Sequence, residues 1–161
     1  MSAAEEVKPR LWPLVVIVAC MGYALDLASK LAAVAWLDPQ NPPVLLGGLL
    51  TLQLVRNPGA AFSMGSNLTV ALSIFAIVAF IAVVAFGVPR VQTKWQAVAA
   101  GLLLAGIAGN LTDRLFRAPG PLRGHVVDMF QVPHFAIFNV ADICITVAAG
   151  LIILLSLRSG K

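Results

Sequence analysis

The chain has 161 residues, 60% of them hydrophobic and only 11% charged. A soluble domain carries about 25% charged residues, so this much apolar surface excludes a free-standing soluble protein and indicates an integral membrane protein. The formal charge of +4 is spread over basic residues that punctuate apolar runs. Membrane orientation explains it better than a nucleic-acid partner, and no nucleic-acid partner is expected.

A transmembrane helix needs about 20 apolar residues, and four runs qualify. The first extends from Leu11 to Trp36. It has a basic lead, Lys8 and Arg10, but no small-residue cleavage site at its end, so it reads as a retained helix rather than a removed signal peptide. The segment from Leu37 to Asn67 follows. Within it Leu50-Thr51-Leu52-Gln53-Leu54 alternates with period two, the pattern of a half-exposed strand, and Asn57-Pro58-Gly59 marks a turn. The second helix, Leu68 to Val88, is almost wholly apolar and reads as scaffold. A short basic connection, Pro89 to Lys94, leads to the third helix, Trp95 to Leu115. Its small residues Ala105, Gly106, Ala108 and Gly109 permit close backbone approach. The segment from Phe116 to His134 contains Pro119-Gly120-Pro121 and a second short strand, His125 to Phe130. The fourth helix runs from Phe135 to Leu157. Cys20 and Cys144 lie in apolar runs and read as small core-filling thiols. The expected fold class is an all-α membrane protein, one domain over residues 1–161, with four transmembrane helices and a small β-cradle formed by the outer loops.

Lys8, Arg10, Arg90, Lys94, Arg158 and Lys161 share one face of such a bundle, and the positive-inside rule assigns that face to the cytoplasm. Both termini are then cytoplasmic, and the two long loops face outward. A rise of 1.5 Å per residue gives the depth of each polar residue. Asp26 falls about 20 Å up the first helix, Asn110 about 22 Å and Arg114 about 28 Å up the third, and Asp142 about 10 Å down a fourth helix begun at Phe135. Asn139 lies one turn above Asp142, and Lys30 one turn above Asp26. The buried polar residues therefore converge on the outer half of the membrane.

Each has a simpler reading. Asp26 and Lys30 suit a local i,i+4 ion pair, Arg114 a side chain snorkelling to headgroups, Asp113 a solvated helix-end charge, and Asn110 and Asn139 interhelical hydrogen-bond glue. Asp142 resists such a reading. A carboxylate within a span costs at least about 2.5 kcal/mol, and no cation lies one turn away on its own helix. Asp128, on the second predicted strand, reaches the same interface. Two close carboxylates share a proton, and one acting as base on water with the other as acid toward a carbonyl performs hydrolysis without metal or covalent intermediate.

Five blocks, Asp26-Leu27-Ala28-Ser29-Lys30, Asn57-Pro58-Gly59-Ala60-Ala61-Phe62, Gly109-Asn110-Leu111-Thr112-Asp113-Arg114, Gly124-His125-Val126-Val127-Asp128 and Phe138-Asn139-Val140-Ala141-Asp142, give the chain its resemblance to the lipoprotein signal peptidases, the type II signal peptidases of bacteria. The resemblance implies an aspartic endopeptidase of the bacterial cytoplasmic membrane, needing no metal or other cofactor. Such an enzyme cuts prolipoproteins before the diacylglyceryl-modified lipobox cysteine. It implies Asp128 and Asp142 as the catalytic dyad and Asn57, Asn110, Arg114, Asn139 and Ala141 as substrate-binding or site-lining residues, with Asp26 and Lys30 as structural support. It further implies a monomer in the phospholipid bilayer, inhibited by globomycin-type peptides, with a mobile outer loop. Two positions depart from the family pattern: Leu27, where Gln is frequent, and Met129, where Phe often follows the dyad aspartate. Two other readings of the polar residues stay open, a small proton-coupled transporter relaying protons through Asp26 and Asp142, and a non-catalytic assembly factor.

Overall fold

The computed structural model describes residues 10–59 and 67–159; Lys8, Lys161 and the Ala60-Ala61-Phe62 part of the second block lie outside them. Four helices are long and apolar enough to cross a membrane. They are α1 (Trp12–Trp36), α2 (Asn67–Ala82), α3 (Lys94–Phe116) and α4 (Val140–Ser159). α2 continues through a π-helical turn (Val83–Gly87) and a 3-10 turn (Val88–Arg90), giving one rod from 67 to 90. The chain is a multi-pass membrane protein.

α3 is the centre of the bundle, packed against α1, α4 and α2. Glycine makes this possible. A Cβ on Gly101 would lie 2.8 Å from Val15 O of α1, and one on Gly106 would lie 2.5 Å from Ala141 O of α4. Backbones approach this closely where the interface is lined by small residues. The start of α3 is fixed by a capping box: Gln96 N donates to Thr93 Oγ1 (3.2 Å) and Thr93 N to Gln96 Oε1 (3.1 Å), which satisfies two otherwise orphaned amides. The outward faces carry large apolar side chains, among them Ile17, Met21 and Leu25 on α1, Phe75, Val78 and Ile81 on α2, and Ile152 and Ile153 on α4. Such a surface is suited to hydrocarbon.

A three-stranded antiparallel sheet, in the order β1 (Val44–Leu45), β2 (Leu50–Asn57) and β3 (Val126–Gln131), caps the end where α1 and α3 finish. Both predicted strands form, and β1 is an addition. Between β2 and β3 the register shifts: Leu52 faces Phe130, then Val55 faces Asp128. Two residues on β2 oppose one on β3, a bulge that increases local twist and re-aims side chains. Past it, Asn57 lies two residues beyond Val55, on the sheet face that Asp128 shares.

α4 begins at Val140, not at Phe135. The intervening residues turn back along β3: Met129 N and Phe130 N both donate to Phe138 O (3.0 and 2.9 Å), and Phe138 N donates to Phe130 O (3.0 Å). The helix start is recessed. Asp142 contacts Asn110, about 9 Å below the end of α3, and Ala141 contacts Asp26, about 15 Å below the end of α1. Asp142 therefore sits at depth because the helix begins at depth. Non-helical backbone is tolerated there when it is buried in protein, and Asn139 is fully buried.

Candidate active site

The recessed start of α4 is a capping box built on Asn139 and Asp142. Asn139 Oδ1 accepts from Asp142 N (3.0 Å), and Asp142 Oδ2 accepts from Asn139 N (3.1 Å). A carboxylate here is also favoured by the helix dipole. The cap uses one oxygen of Asp142 and the carbonyl end of Asn139. The other halves face the neighbouring elements: Asp142 Oδ1 accepts from Asn110 Nδ2 (2.8 Å), and Asn139 Nδ2 donates to Asp128 Oδ1 (2.6 Å) and Asn110 Oδ1 (3.1 Å).

Asp128 arrives from β3 with 2% of its surface exposed. Its second oxygen accepts from Asn57 Nδ2 at 2.9 Å. Asn57 is held in turn by a turn of its own, since Gly59 N donates to Asn57 Oδ1 (2.8 Å) and Gly59 takes φ +101°. That is the left-handed region glycine adopts without steric cost, and it accounts for glycine in Asn57-Pro58-Gly59. All four oxygens of the two aspartates thus accept one N–H each, every one from a neutral amide, and Asn139 serves both residues. Burial pushes the Asp128 carboxyl up to about 6; the charge of Asp142 adds to the rise, while the amides of Asn57 and Asn139 and the charge of Lys30 oppose it.

Beneath the pair lies a buried charge network. Lys30 Nζ lies 3.0 Å from Asn110 Oδ1, 2.8 Å from Asp26 Oδ2 and 2.9 Å from Asp113 Oδ2. The contact to Asp26 is an i,i+4 ion pair along α1. Asp26 Oδ1 accepts from Ala141 N (2.8 Å), so α1 holds the first turn of α4. Gly109 leaves room for this, because a Cβ there would collide with the Asp26 carboxylate. Asp26 and Lys30 form the predicted i,i+4 pair, but the pair reaches further than a local one.

Asp113 is not a solvated helix-end charge. It is 1% exposed, pairs with Lys30 and Arg117, and accepts from Val127 N at 3.1 Å. Arg117 follows the i,i+4 spacing at the end of α3, but Lys30 and the Val127 amide come from α1 and β3, which spacing on α3 does not show. Gly124, placed before β3, donates its N–H to Arg114 O (3.0 Å). A Cβ there would lie 2.9 Å from Arg117 O and 3.0 Å from Arg114 O, so only glycine fits.

Arg114 is half-buried and donates to Asn110 O at 3.3 Å; its Nε is buried with no partner among the described residues. Its guanidinium lies within electrostatic reach of Asp142, Asp128 and Asp113. Ala141, expected among the lining residues, is fully buried and packs near Gly109 of α3, so its side chain does not face the pair. Beside Asp142 an apolar groove of ≈ 440 Å³ opens along α4, lined by Phe135, Phe138, Ile143, Thr146 and Val147. Among the described residues, no three His, Cys, Asp or Glu side chains converge as a metal-ligand set.

Comparison with known proteins identifies a family. The family model for signal peptidase (SPase) II matches residues 18–158. A lipoprotein signal peptidase of Rhodococcus jostii (strain RHA1) is 44% identical over 89% of this chain and 72% of its own length. One of Mycobacterium avium (strain 104) is 42% identical over 97% of this chain and 85% of its own. A solved structure described as a bacterial membrane enzyme superposes with a TM-score of 0.79 at 29% identity, covering 89% of this chain and 92% of that one. A second so described gives 0.80 at 28%, covering 91% and 89%. The chain belongs to the signal peptidase II family.

Proposed function

We propose that this protein is an aspartic endopeptidase that removes the signal peptide of bacterial prolipoproteins, cutting before the diacylglyceryl-modified cysteine. The observation that carries the mechanism is the pairing itself: Asp128 and Asp142 are joined through Asn139, and each of their four oxygens is held by one amide N–H. A carboxylate oxygen with one donor keeps lone-pair capacity for a water or a proton.

The two carboxyl groups share one proton. The ionised member takes a proton from water as the water oxygen attacks the scissile carbonyl. The protonated member gives its proton to the carbonyl oxygen. The tetrahedral intermediate then collapses: the C–N bond breaks, a proton passes to the leaving nitrogen, and the new amine is that of the modified cysteine. General acid and base catalysis of this kind contributes about 10²–10⁴-fold each. Asn57, Asn110 and Asn139 hold the two carboxyl groups in register, and the half-buried guanidinium of Arg114 is the cation assigned to the substrate backbone. The groove beside Asp142 is apolar and runs along α4, which suits a substrate carrying acyl chains.

The site lies at the sheet end of the bundle. Arg10, Arg90, Lys94 and Arg158 mark the opposite end, with Lys8 and Lys161 in the flanking sequence, against Arg56, Arg114, Arg117 and Arg123 at the sheet end; this small excess of cations favours that end in the cytoplasm and the sheet outside, and the family match supports the bacterial inner membrane. Purified protein in detergent should cut a lipidated lipobox peptide, and Asp128→Asn or Asp142→Asn should abolish the cut while the helices stay folded. Full activity in either variant rules the dyad out. A transporter is disfavoured by the site's place near one end of the bundle rather than at the midplane.

A further inference from the structure

At the end of the bundle away from the dyad, a second groove of ≈ 340 Å³ runs over α3 between the end of the α2 rod and the end of α4. Its floor is small, formed by Ala99 and Ala100. Its walls are Val83 and Gly87 on one side and Ile152 on the other. The π-helical turn Val83–Gly87 forms one wall, and such turns widen a helix and recur at functional sites.

The groove is apolar along its length and polar at its mouth. Arg90, Gln96 and Ser156 line the mouth. Arg90 is exposed but held: Nη1 donates to Phe86 O at 2.6 Å, leaving the rest of its guanidinium free to face the mouth. Lys94 and Arg158, both exposed, sit two residues from Gln96 and Ser156. All described carboxylates (Asp26, Asp38, Asp113, Asp128, Asp142) lie on elements or loops of the sheet half. The mouth therefore has cations and no described anion to answer them. An acyl-sized slot with a cationic rim at the membrane boundary calls for an amphiphile with a negative head.

We propose that this groove is a binding site for one anionic phospholipid, its acyl chain between α2 and α4 and its phosphate at Arg90. Basic pockets between transmembrane helices bind anionic headgroups, at about 1 kcal/mol per Lys or Arg, so each cation is worth about fivefold in affinity. The site is separate from the dyad and does not depend on the peptidase reading.

The test is native mass spectrometry of the full chain in mild detergent, titrated with phosphatidylglycerol or phosphatidylcholine of identical acyl chains. One phosphatidylglycerol should bind in preference to phosphatidylcholine. Arg90→Gln should cut that preference about fivefold. Gly87→Leu should reduce binding of the lipid altogether by filling the slot, since a Cβ there meets only the Val83 side chain at 3.5 Å and costs the fold little. Arg123→Gln, at the sheet end, should change nothing. Equal binding of the two lipids overturns the proposal, as does retention of the preference in Arg90→Gln or of the lipid in a Gly87→Leu variant that keeps its helical circular dichroism.

Discussion

Lys30→Met is the most informative single perturbation of the scaffold. Lys30 is 1% exposed and its ammonium meets Asp26, Asp113 and Asn110. Asp113 keeps a second cation, Arg117, but Asp26 has none other among the described residues. Methionine fills the volume and removes the charge, so the variant isolates an uncompensated buried carboxylate. Breaking a buried pair from one side costs about 3–5 kcal/mol. At about 2–4 °C per kcal/mol for a chain of this size, the melting temperature in detergent should fall by roughly 10 °C. The double variant Lys30→Met with Asp26→Asn restores neutrality, and the oxygen of the introduced carboxamide can still accept from Ala141 N. It should recover about 1–3 kcal/mol of the loss, the coupling expected for contacting residues. Thermal unfolding followed by circular dichroism measures both. Additive losses in the double variant would refute the argument, because they would show that Asp26 does not depend on Lys30 for its charge balance.

Three further outcomes follow from the same geometry. Asn139→Ala removes the α4 cap and the link between the aspartates. It should cost about 0.5–2 kcal/mol in stability and lower the cleavage rate by about 100-fold or more, read by thermal unfolding and a peptide-cleavage assay. Gly124→Ala should cost about 1–3 kcal/mol, since the added methyl meets three backbone carbonyls that cannot rotate away; an unchanged melting temperature would contradict the packing. Stability should also depend on pH through Asp128, whose carboxyl rises from 3.8 to about 6 on folding. The folded state holds this proton more tightly, so the contribution is complete below about pH 4 and is lost as pH rises through about 6, up to about 3 kcal/mol. Chemical denaturation from pH 4 to 7 should show that loss, and Asp128→Asn should remove this part of it.

The four spans and both longer strands are legible because hydropathy and period-two alternation report burial directly. The motif blocks likewise carry all the polar residues of the pair. Hydropathy puts the start of α4 too early because Phe135 to Phe138 are as apolar as a helix. The cap signal Asn139-x-x-Asp142 is present, and it moves the start to Val140 and makes Asp142 a first-turn residue. Asp113 escapes sequence reasoning for a different reason. Arg117 is one i,i+4 step away, but the partners that bury it, Lys30 and the Val127 amide, lie on α1 and β3, and no spacing on α3 encodes them. Ala141 is expected at the site, whereas its backbone N–H is what matters, donating to Asp26. The β1 strand, two residues long, and the π-helical turn leave no periodic trace.

The central claim is that Asp128 and Asp142 together cut a lipid-modified prolipoprotein. The direct measurement is incubation of the purified protein with a diacylglyceryl-modified lipobox peptide, with products identified by mass, in buffer containing a chelator. The predicted result is a single cut before the modified cysteine, unaffected by chelator and absent in folded Asp128→Asn and Asp142→Asn variants. A cut that survives either substitution, or one lost on chelation, contradicts it.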